Sequence, residues 1–190
     1  DVPAAERHAL WMGLADAMAA MHAVDPMSIG LGDYGKPGNY FERQINRWPR
    51  QWDESPHEPI PELDTLHDWL IANQPIDDGA ISIAHGDFRM GNVIFHPDEP
   101  RVVAILDWEL STIGNPLADL GFCTLAWHTT PDEYGGILGL NHDALGLPSE
   151  AEFIDRYMAQ RTDSAPLTTF HKAFALFRFS VIWVGVADRV

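Results

Sequence analysis

The stretch that most limits how this chain can fold is Ile81 to Glu109, ISIAHGDFRMGNVIFHPDEPRVVAILDWE. Two short apolar runs, Val93–Phe95 and Val102–Leu106, flank a turn of acids and prolines. Runs of this length bounded by turn residues read as the strands of a hairpin. Each run also borders a loop that carries acids. His85-Gly86-Asp87-Phe88-Arg89-Met90-Gly91-Asn92 precedes the first, and Asp107-Trp108-Glu109 follows the second. A hairpin with this layout delivers Asp87, Asn92 and Asp107 to the same end.

The remainder of the chain has helical periodicity. Residues 4–23 place apolar side chains at 10, 14, 18 and 21, one buried helical face. Asp25-Pro26 stops that helix, because the proline ring disfavours helical geometry in the residue before it. His22, near its end, reads as a structural residue, with a favourable interaction with the helix dipole when cationic. Gly30-Leu31-Gly32-Asp33-Tyr34-Gly35 fits G-x-G-x-x-G, but a helix and a loop precede it and Lys36-Pro37-Gly38 follows. A dinucleotide site needs a strand before the motif and a helix opening on it. The segment therefore reads as an irregular glycine-rich loop, open to a substrate-facing role.

Asn39 is placed to cap a helix over NYFERQINRWPRQW, with Phe41, Ile45 and Trp48 on one face. Arg43, Arg47 and Arg50 fall in the same stretch. They read either as surface ion pairs or as a patch that meets an anionic part of a substrate. Residues 53–61 are a Pro-rich loop, and a helix follows at about 62–73 with Leu63, Leu66, Trp69 and Leu70 inward. Ala80–Ala84 is a short extended segment. Asn115-Pro116 opens a helix to about Trp127, since both residues suit that end. A loop of Pro and Gly leads to the capping box Ser149-Glu150-Ala151-Glu152 and a helix to about Arg161. The last helix covers about 167–187. The expected architecture is α+β, mainly helices with one small antiparallel hairpin and no internal domain boundary.

Bulk properties narrow the function. At 190 residues, with 46% hydrophobic residues, the chain is one domain or a little more and can bury a sizeable core. A net charge of −16 argues against nucleic acid as a partner. It favours a cationic substrate electrostatically, although a solvated acidic surface explains it equally well. No apolar run reaches 18 residues, and no signal-peptide pattern is present, so no membrane partner is expected. The single cysteine, Cys123, excludes an internal disulfide and suits a reducing cytoplasm; it reads as a buried small hydrophobe. The chain opens without Met and closes within a helical pattern, which reads as a piece of a longer protein.

The central stretch carries the residue types that phosphoryl transfer calls for. That reaction needs a magnesium ion to neutralise phosphate charge and a carboxylate to orient and deprotonate the attacking hydroxyl. Magnesium takes hard oxygen ligands, usually one or two carboxylates beside phosphates and waters. Asp107, at the end of an apolar run, is a candidate ligand, and Asn92 offers a neutral carbonyl oxygen. Asp87, five residues before Asn92, is placed to hold the acceptor hydroxyl. Turns are rich in such residues for backbone reasons alone, but three at this spacing, with a helix start afterwards, form a set.

The spacing His-x-Asp-x-x-x-x-Asn, then a hairpin, then Ile-Leu-Asp, resembles the catalytic and metal-binding segments of the protein kinase-like superfamily. HGDFRMGN, AILDWE and NPLADLGF resemble the aminoglycoside phosphotransferase and choline kinase-like family. Together with GLGDYGKPGNYFERQINRW, they are similar to the branch also found fused to acyl-CoA dehydrogenases. The resemblance covers about residues 8–187. It implies that Asp87 is the catalytic aspartate, that Asn92 and Asp107 are the magnesium ligands, and that His85 braces the loop. It further implies that Arg89 touches the γ-phosphate and that Glu109 is a further metal ligand, with surface acid as the alternative. Asp119 would pin the catalytic loop through backbone hydrogen bonds. ATP and Mg2+ are the implied cofactors, and a small-molecule hydroxyl is the implied acceptor, on a hydroxyacyl-CoA or an aminoglycoside. The different-class alternative is a catalytically inactive kinase-like binding module. The family's glycine-rich phosphate loop and its strand lysine are missing from these residues. The chain therefore reads as a C-terminal lobe whose partner, the N-terminal nucleotide-binding lobe of the same protein, lies elsewhere.

Overall fold

The apolar runs do pair, and a second pair of strands flanks them. The computed structural model describes the backbone of residues 2–53, 60–162 and 164–187, and their side chains except at 48–53 and 185–187. Within it β2 (Val93–Phe95) lies antiparallel to β3 (Val102–Ile105), with Val93 opposite Ile105. Outside that pair, β1 (Ser82–Ala84) lies antiparallel to β4 (Thr112–Gly114), with Ser82 opposite Gly114 and Ala84 opposite Thr112. The expected single hairpin is thus two nested ribbons. Thr112–Gly114 carries too short an apolar signal to stand out as a strand, and its partner is some 30 residues back in the chain.

Helices surround the ribbons. α1 (Ala4–His22) packs against α7 (Glu150–Met158), and α8 (Thr169–Ala187) packs against α4 (Leu117–Cys123), α3 (Pro61–Ala72) and α2 (Tyr40–Asp53). Two single-turn helices, α5 (Pro131–Tyr134) and α6 (His142–Leu145), stand where the sequence reads as loop. α1 buries Trp11, Leu14, Ala15, Met18 and Ala19, the i, i+3, i+4 stripe its spacing demands. Trp11, Trp127 and Phe153 form an aromatic cluster with ring centroids 4.8 to 5.9 Å apart. A second cluster joins Phe41 to Phe170 and Phe174 at 5.2 and 5.0 Å. Each such side chain, fully buried, contributes about 1.5–3 kcal/mol over its exposed state.

Local signals set the helix ends. Pro61 opens α3 at its first position. Asn115 Oδ1 accepts the Leu117 amide at 3.0 Å ahead of α4. Ser149 Oγ accepts the Glu152 amide, and the Glu152 carboxylate accepts the Ser149 amide, so the capping box forms as read. α7 nevertheless ends at Met158, short of Arg161, and the stretch after Cys123 tightens into a 3-10 turn over Thr124–Trp127. Trp69 is 37% exposed and does not join the inward face of α3. Leu63, Leu66 and Leu70 lie on one i, i+3, i+7 row, and Trp69 is a helical step off it. His67 takes its place inside, stacked on Phe177 at 5.5 Å. The side chains of Trp48 and Arg50 on the expected α2 faces, and most of the Pro-rich loop, lie outside the described residues. Among the described residues no helix is long and apolar enough to cross a membrane.

Candidate active site

The nesting of the ribbons builds the site. One chain passes from β1 into β2 through His85–Asn92, and the returning chain passes from β3 into β4 through Leu106–Ser111. Both strands of one long hairpin therefore break at the same level, and the two breaks are the acid-bearing loops. The Leu106 amide donates to the Asn92 carbonyl at 2.8 Å across the break, and Asp107 is the next residue.

Within the first break, Asn92 Nδ2 donates to Asp87 Oδ2 at 2.7 Å and to the Asp87 carbonyl at 2.9 Å. This orients the Asn92 amide, with Nδ2 turned to those acceptors and Oδ1 turned away from them. Arg89 Nε also donates to Asp87 Oδ2, at 3.3 Å. No hydrogen bond to Asp87 Oδ1 forms among the described residues. Asp87 is thus fixed by one oxygen and free at the other.

His85 is fully buried, between the rings of Phe88 and Trp108 at 5.8 and 4.9 Å. Its Nε2 faces the Leu106 carbonyl at 2.8 Å, and its Nδ1 faces the Asp87 amide at 3.2 Å. A carbonyl only accepts and an amide only donates, so the ring is the neutral tautomer protonated on Nε2. Neither nitrogen is left to take a substrate proton, and the residue ties the two breaks together. Gly86, at φ 87°, passes under Leu110; a side chain there would lie 2.6 Å from the Leu110 carbonyl oxygen.

Asp119, in the first turn of α4, anchors the loop from below. Its Oδ1 accepts the Gly86 amide at 2.8 Å and its Oδ2 the His85 amide at 2.6 Å. His22 Nε2 reaches the same Oδ2 at 3.1 Å, and His22 Nδ1 meets the Tyr157 hydroxyl at 2.8 Å. Burial alone raises the Asp119 pKa, but the hydrogen bond and charge of His22 and the two amides outweigh it, leaving the carboxyl below its ordinary range. His22 therefore spends its ring on Asp119 and Tyr157 rather than on the end of α1.

In the second break Asp107 adopts a left-handed backbone, φ 64° and ψ 59°. That conformation costs a non-glycine residue about 1–2 kcal/mol and is concentrated at functional positions. Asp107 and Glu109 are both exposed. Trp108 Nε1 donates to the Ile105 carbonyl at 2.9 Å, which pins the turn between them. The Tyr34 hydroxyl of the glycine-rich loop bonds Ser111 Oγ just beyond. The structure thus brings Asp87, Asn92, His85 and Arg89 into direct contact and sets Asp107 across the break from Asn92. It shows no bond from Glu109 to any of them.

Sequence reading missed several residues here. Tyr134 stacks beneath the Arg89 guanidinium, 5.6 Å from its centroid. Burial, then the charge of Asp87, raises the Tyr134 pKa, with Arg89 opposing. Arg89, Trp11, Met90, Phe122, Leu125 and Tyr134 wall a cavity of about 270 Å3, and Arg89 links it to Asp87. Tyr134 lies 47 residues from Asp87, with no local signal of that contact. Its helix, however, was announced by Thr130-Pro131-Asp132-Glu133, in which Glu133 accepts the Thr130 amide at 2.7 Å. Among the described residues no three His, Cys, Asp or Glu side chains converge as a preformed metal cluster. Carboxylate and amide oxygens such as those of Asp107 and Asn92 are the donor type that magnesium takes beside phosphates and water.

Nested ribbons under a helical body, with paired acid loops between them, define a kinase-like phosphotransferase lobe. The family model for the phosphotransferase enzyme family matches residues 2–166, and the chain belongs to that family. A crystal structure from Ralstonia eutropha assigned to the aminoglycoside phosphotransferases is 48% identical. It superposes with a TM-score of 0.92 over 100% of this chain and 58% of that one. The macrolide 2′-phosphotransferase of Brachybacterium faecium shares the fold, with a TM-score of 0.64 at 18% identity, over 98% of this chain and 55% of that one. Acyl-CoA dehydrogenase family member 11 of Gallus gallus is 40% identical over 100% of this chain and 25% of its own length. The Homo sapiens protein of that name is 37% identical over 97% of this chain and 24% of its own. The chain thus spans about a quarter of these curated relatives.

Proposed function

We propose that this chain is the C-terminal lobe of an ATP- and magnesium-dependent kinase that phosphorylates a hydroxyl of a small molecule, with Asp87 as the base. The observation that carries the reading is the state of Asp87. Oδ2 is held by Asn92 and Arg89, and Oδ1 is left for an acceptor hydroxyl. In the reaction Oδ1 takes the hydroxyl proton, the acceptor oxygen forms a bond to the γ-phosphorus, and the bond from that phosphorus to the β–γ bridging oxygen breaks, releasing ADP. Asn92 Oδ1 and Asp107, with Glu109 beside them, are the groups to hold Mg2+, whose contribution is to neutralise phosphate charge. His85 positions the loop, and Arg89 moves from Asp87 to the incoming γ-phosphate.

The N-terminal lobe of the same protein would close over the site. Ile94, Val103, Leu106, Trp108 and Leu110 expose large apolar side chains on and beside the inner ribbon, as a surface awaiting such a cover does. For the acceptor, the cavity beside Arg89 favours a hydroxyacyl-CoA over an aminoglycoside. Its walls are mostly apolar and its one charged side chain is a cation, so polycationic sugars find no carboxylate there. The relatives named for acyl-CoA dehydrogenation support the same choice.

The test uses the full-length protein, screened against hydroxyacyl-CoAs and aminoglycosides with ADP release as readout. Asp87→Asn is expected to lower turnover at least ~10²-fold, the scale of a positioned acid–base group. Near-normal turnover removes Asp87 from the mechanism. Magnesium-dependent nucleotide binding that disappears in Asp107→Ala separates a kinase from a binding module, which would not respond.

A further inference from the structure

Only 12 residues of this chain are Lys or Arg against 28 acids, yet three of the basic ones line one cavity. It holds about 540 Å3 where the glycine-rich loop enters α2, and Lys36, Arg43 and Arg47 share its wall with Asn46, Glu42 and Asp77. Asp77 is already engaged, its Oδ2 accepting the Asn39 amide at 2.8 Å. Arg43 is held in place, with Nη2 donating to the Lys36 carbonyl. Its other terminal nitrogen, Nη1, is shut off from solvent and has no acceptor among the described residues. An unsatisfied buried donor costs roughly 1–3 kcal/mol. Lys36, Arg47 and the half-buried Arg43 offer three cations to an anion in the cavity, and the planar guanidinium fork matches phosphate oxygens in particular.

The cavity is tied to the acid loops. Gly35, directly before Lys36, packs so closely on Thr112 and Ile113 that an added Cβ would lie 2.6 Å from the Ile113 amide. Tyr34 bonds Ser111 at the end of the second break. One short loop therefore fixes both the basic wall and the turn after Asp107.

We propose that the Lys36–Arg43–Arg47 cavity is a subsite for a phosphate-bearing end of the acceptor, separate from the phosphate being transferred. This rests on the reading of the chain as a kinase for a coenzyme A thioester and names how that class is recognised. The cavity beside Arg89 takes the apolar arm, and this one takes the anionic arm.

The test is calorimetry on the full-length protein with Mg-ADP in saturating amount, using coenzyme A and pantetheine as probes. They differ in the phosphorylated nucleotide end. Coenzyme A is expected to bind at least ~10-fold more tightly than pantetheine. Arg47→Ala, a surface change that spares the fold, and Arg43→Gln are each expected to shrink that ratio several-fold. Equal binding of the two probes, or a ratio unchanged in both variants, overturns the proposal. A preference erased by millimolar inorganic phosphate makes this a free-anion site and overturns the acceptor assignment. An arginine-dependent preference in a protein that phosphorylates no hydroxyacyl-CoA keeps the subsite and discards the acceptor. Turnover of hydroxyacyl-CoA with an unchanged ratio discards the subsite alone.

Discussion

Asp119→Asn tests how the loop that carries Asp87 is held. The carboxylate accepts two backbone amides and one imidazole N–H in a site with no exposure. Asparagine keeps one oxygen. If that oxygen stays at the Oδ2 position, it retains the His85 amide and His22, and its NH2 group is turned on the Gly86 amide, donor against donor. One buried amide then loses its acceptor, at about 1–3 kcal/mol, and two charge-assisted bonds become ordinary ones, at roughly 0.5–1 kcal/mol each. The expected loss is about 3 kcal/mol of unfolding free energy, measured from urea midpoints at constant slope. Because Gly86 lies between His85 and Asp87, turnover should fall too, while the Mg-nucleotide binding proposed for Asp107 should change less. Combined with His22→Phe, the effects should add to less than their sum by about 1 kcal/mol, since both act on one carboxylate. A loss under about 1 kcal/mol, or full additivity, would refute the anchoring role.

Three further outcomes follow from the same packing. Burial pushes the His171 pKa down to about 4, against the charge of Asp78; the unfolded imidazole titrates near 6.5. The unfolded chain therefore takes the proton first as pH falls. Stability is full above about pH 6.5 and declines toward pH 4 by as much as ~3 kcal/mol, and His171→Gln should flatten that decline in urea midpoints taken at pH 7.5 and 5. An unchanged slope would exclude His171 as its source. Gly121→Ala places a methyl 2.7 Å from the His171 carbonyl oxygen, backbone against backbone, and should force α4 from α8 at a cost of about 1–3 kcal/mol in thermal unfolding. Tyr157→Phe removes the hydroxyl bonded to His22 and should cost about 1 kcal/mol by denaturant unfolding, with a silent result meaning the bond contributes nothing.

Much of this arrangement was legible in the sequence, for local reasons. Asn115-Pro116 and Ser149–Glu152 announce helix starts because capping is settled within four residues. Val93–Phe95 and Val102–Ile105 announce a hairpin because their turn is short. Asp87 and Asn92 could be paired on paper because five residues in a tight loop leave few ways to sit. What was not legible is set by partners distant in the chain. β4 is a strand only because β1 lies beside it, and nothing in Thr112-Ile113-Gly114 says so. Trp69 looked like core, but the row of Leu63, Leu66 and Leu70 left it outside. His22 depends on Tyr157, 135 residues away, and the basic cavity needs Lys36 and Arg43 folded against each other. The contacts that complete the site are side-chain meetings between helices, and periodicity does not encode them.

The two interrupted ribbons also decide where length changes in this chain are tolerated. The Leu106 amide meets the Asn92 carbonyl only while both strands break on the same rung. Deleting one residue from either break would slide its strand by about 3.3 Å and turn its side chains to the opposite face. An extra residue at Asp98 or Glu99 lengthens only the far tip and leaves the rungs aligned. The hairpin end is where insertions would be neutral, and the interior, though it is loop, must keep its count.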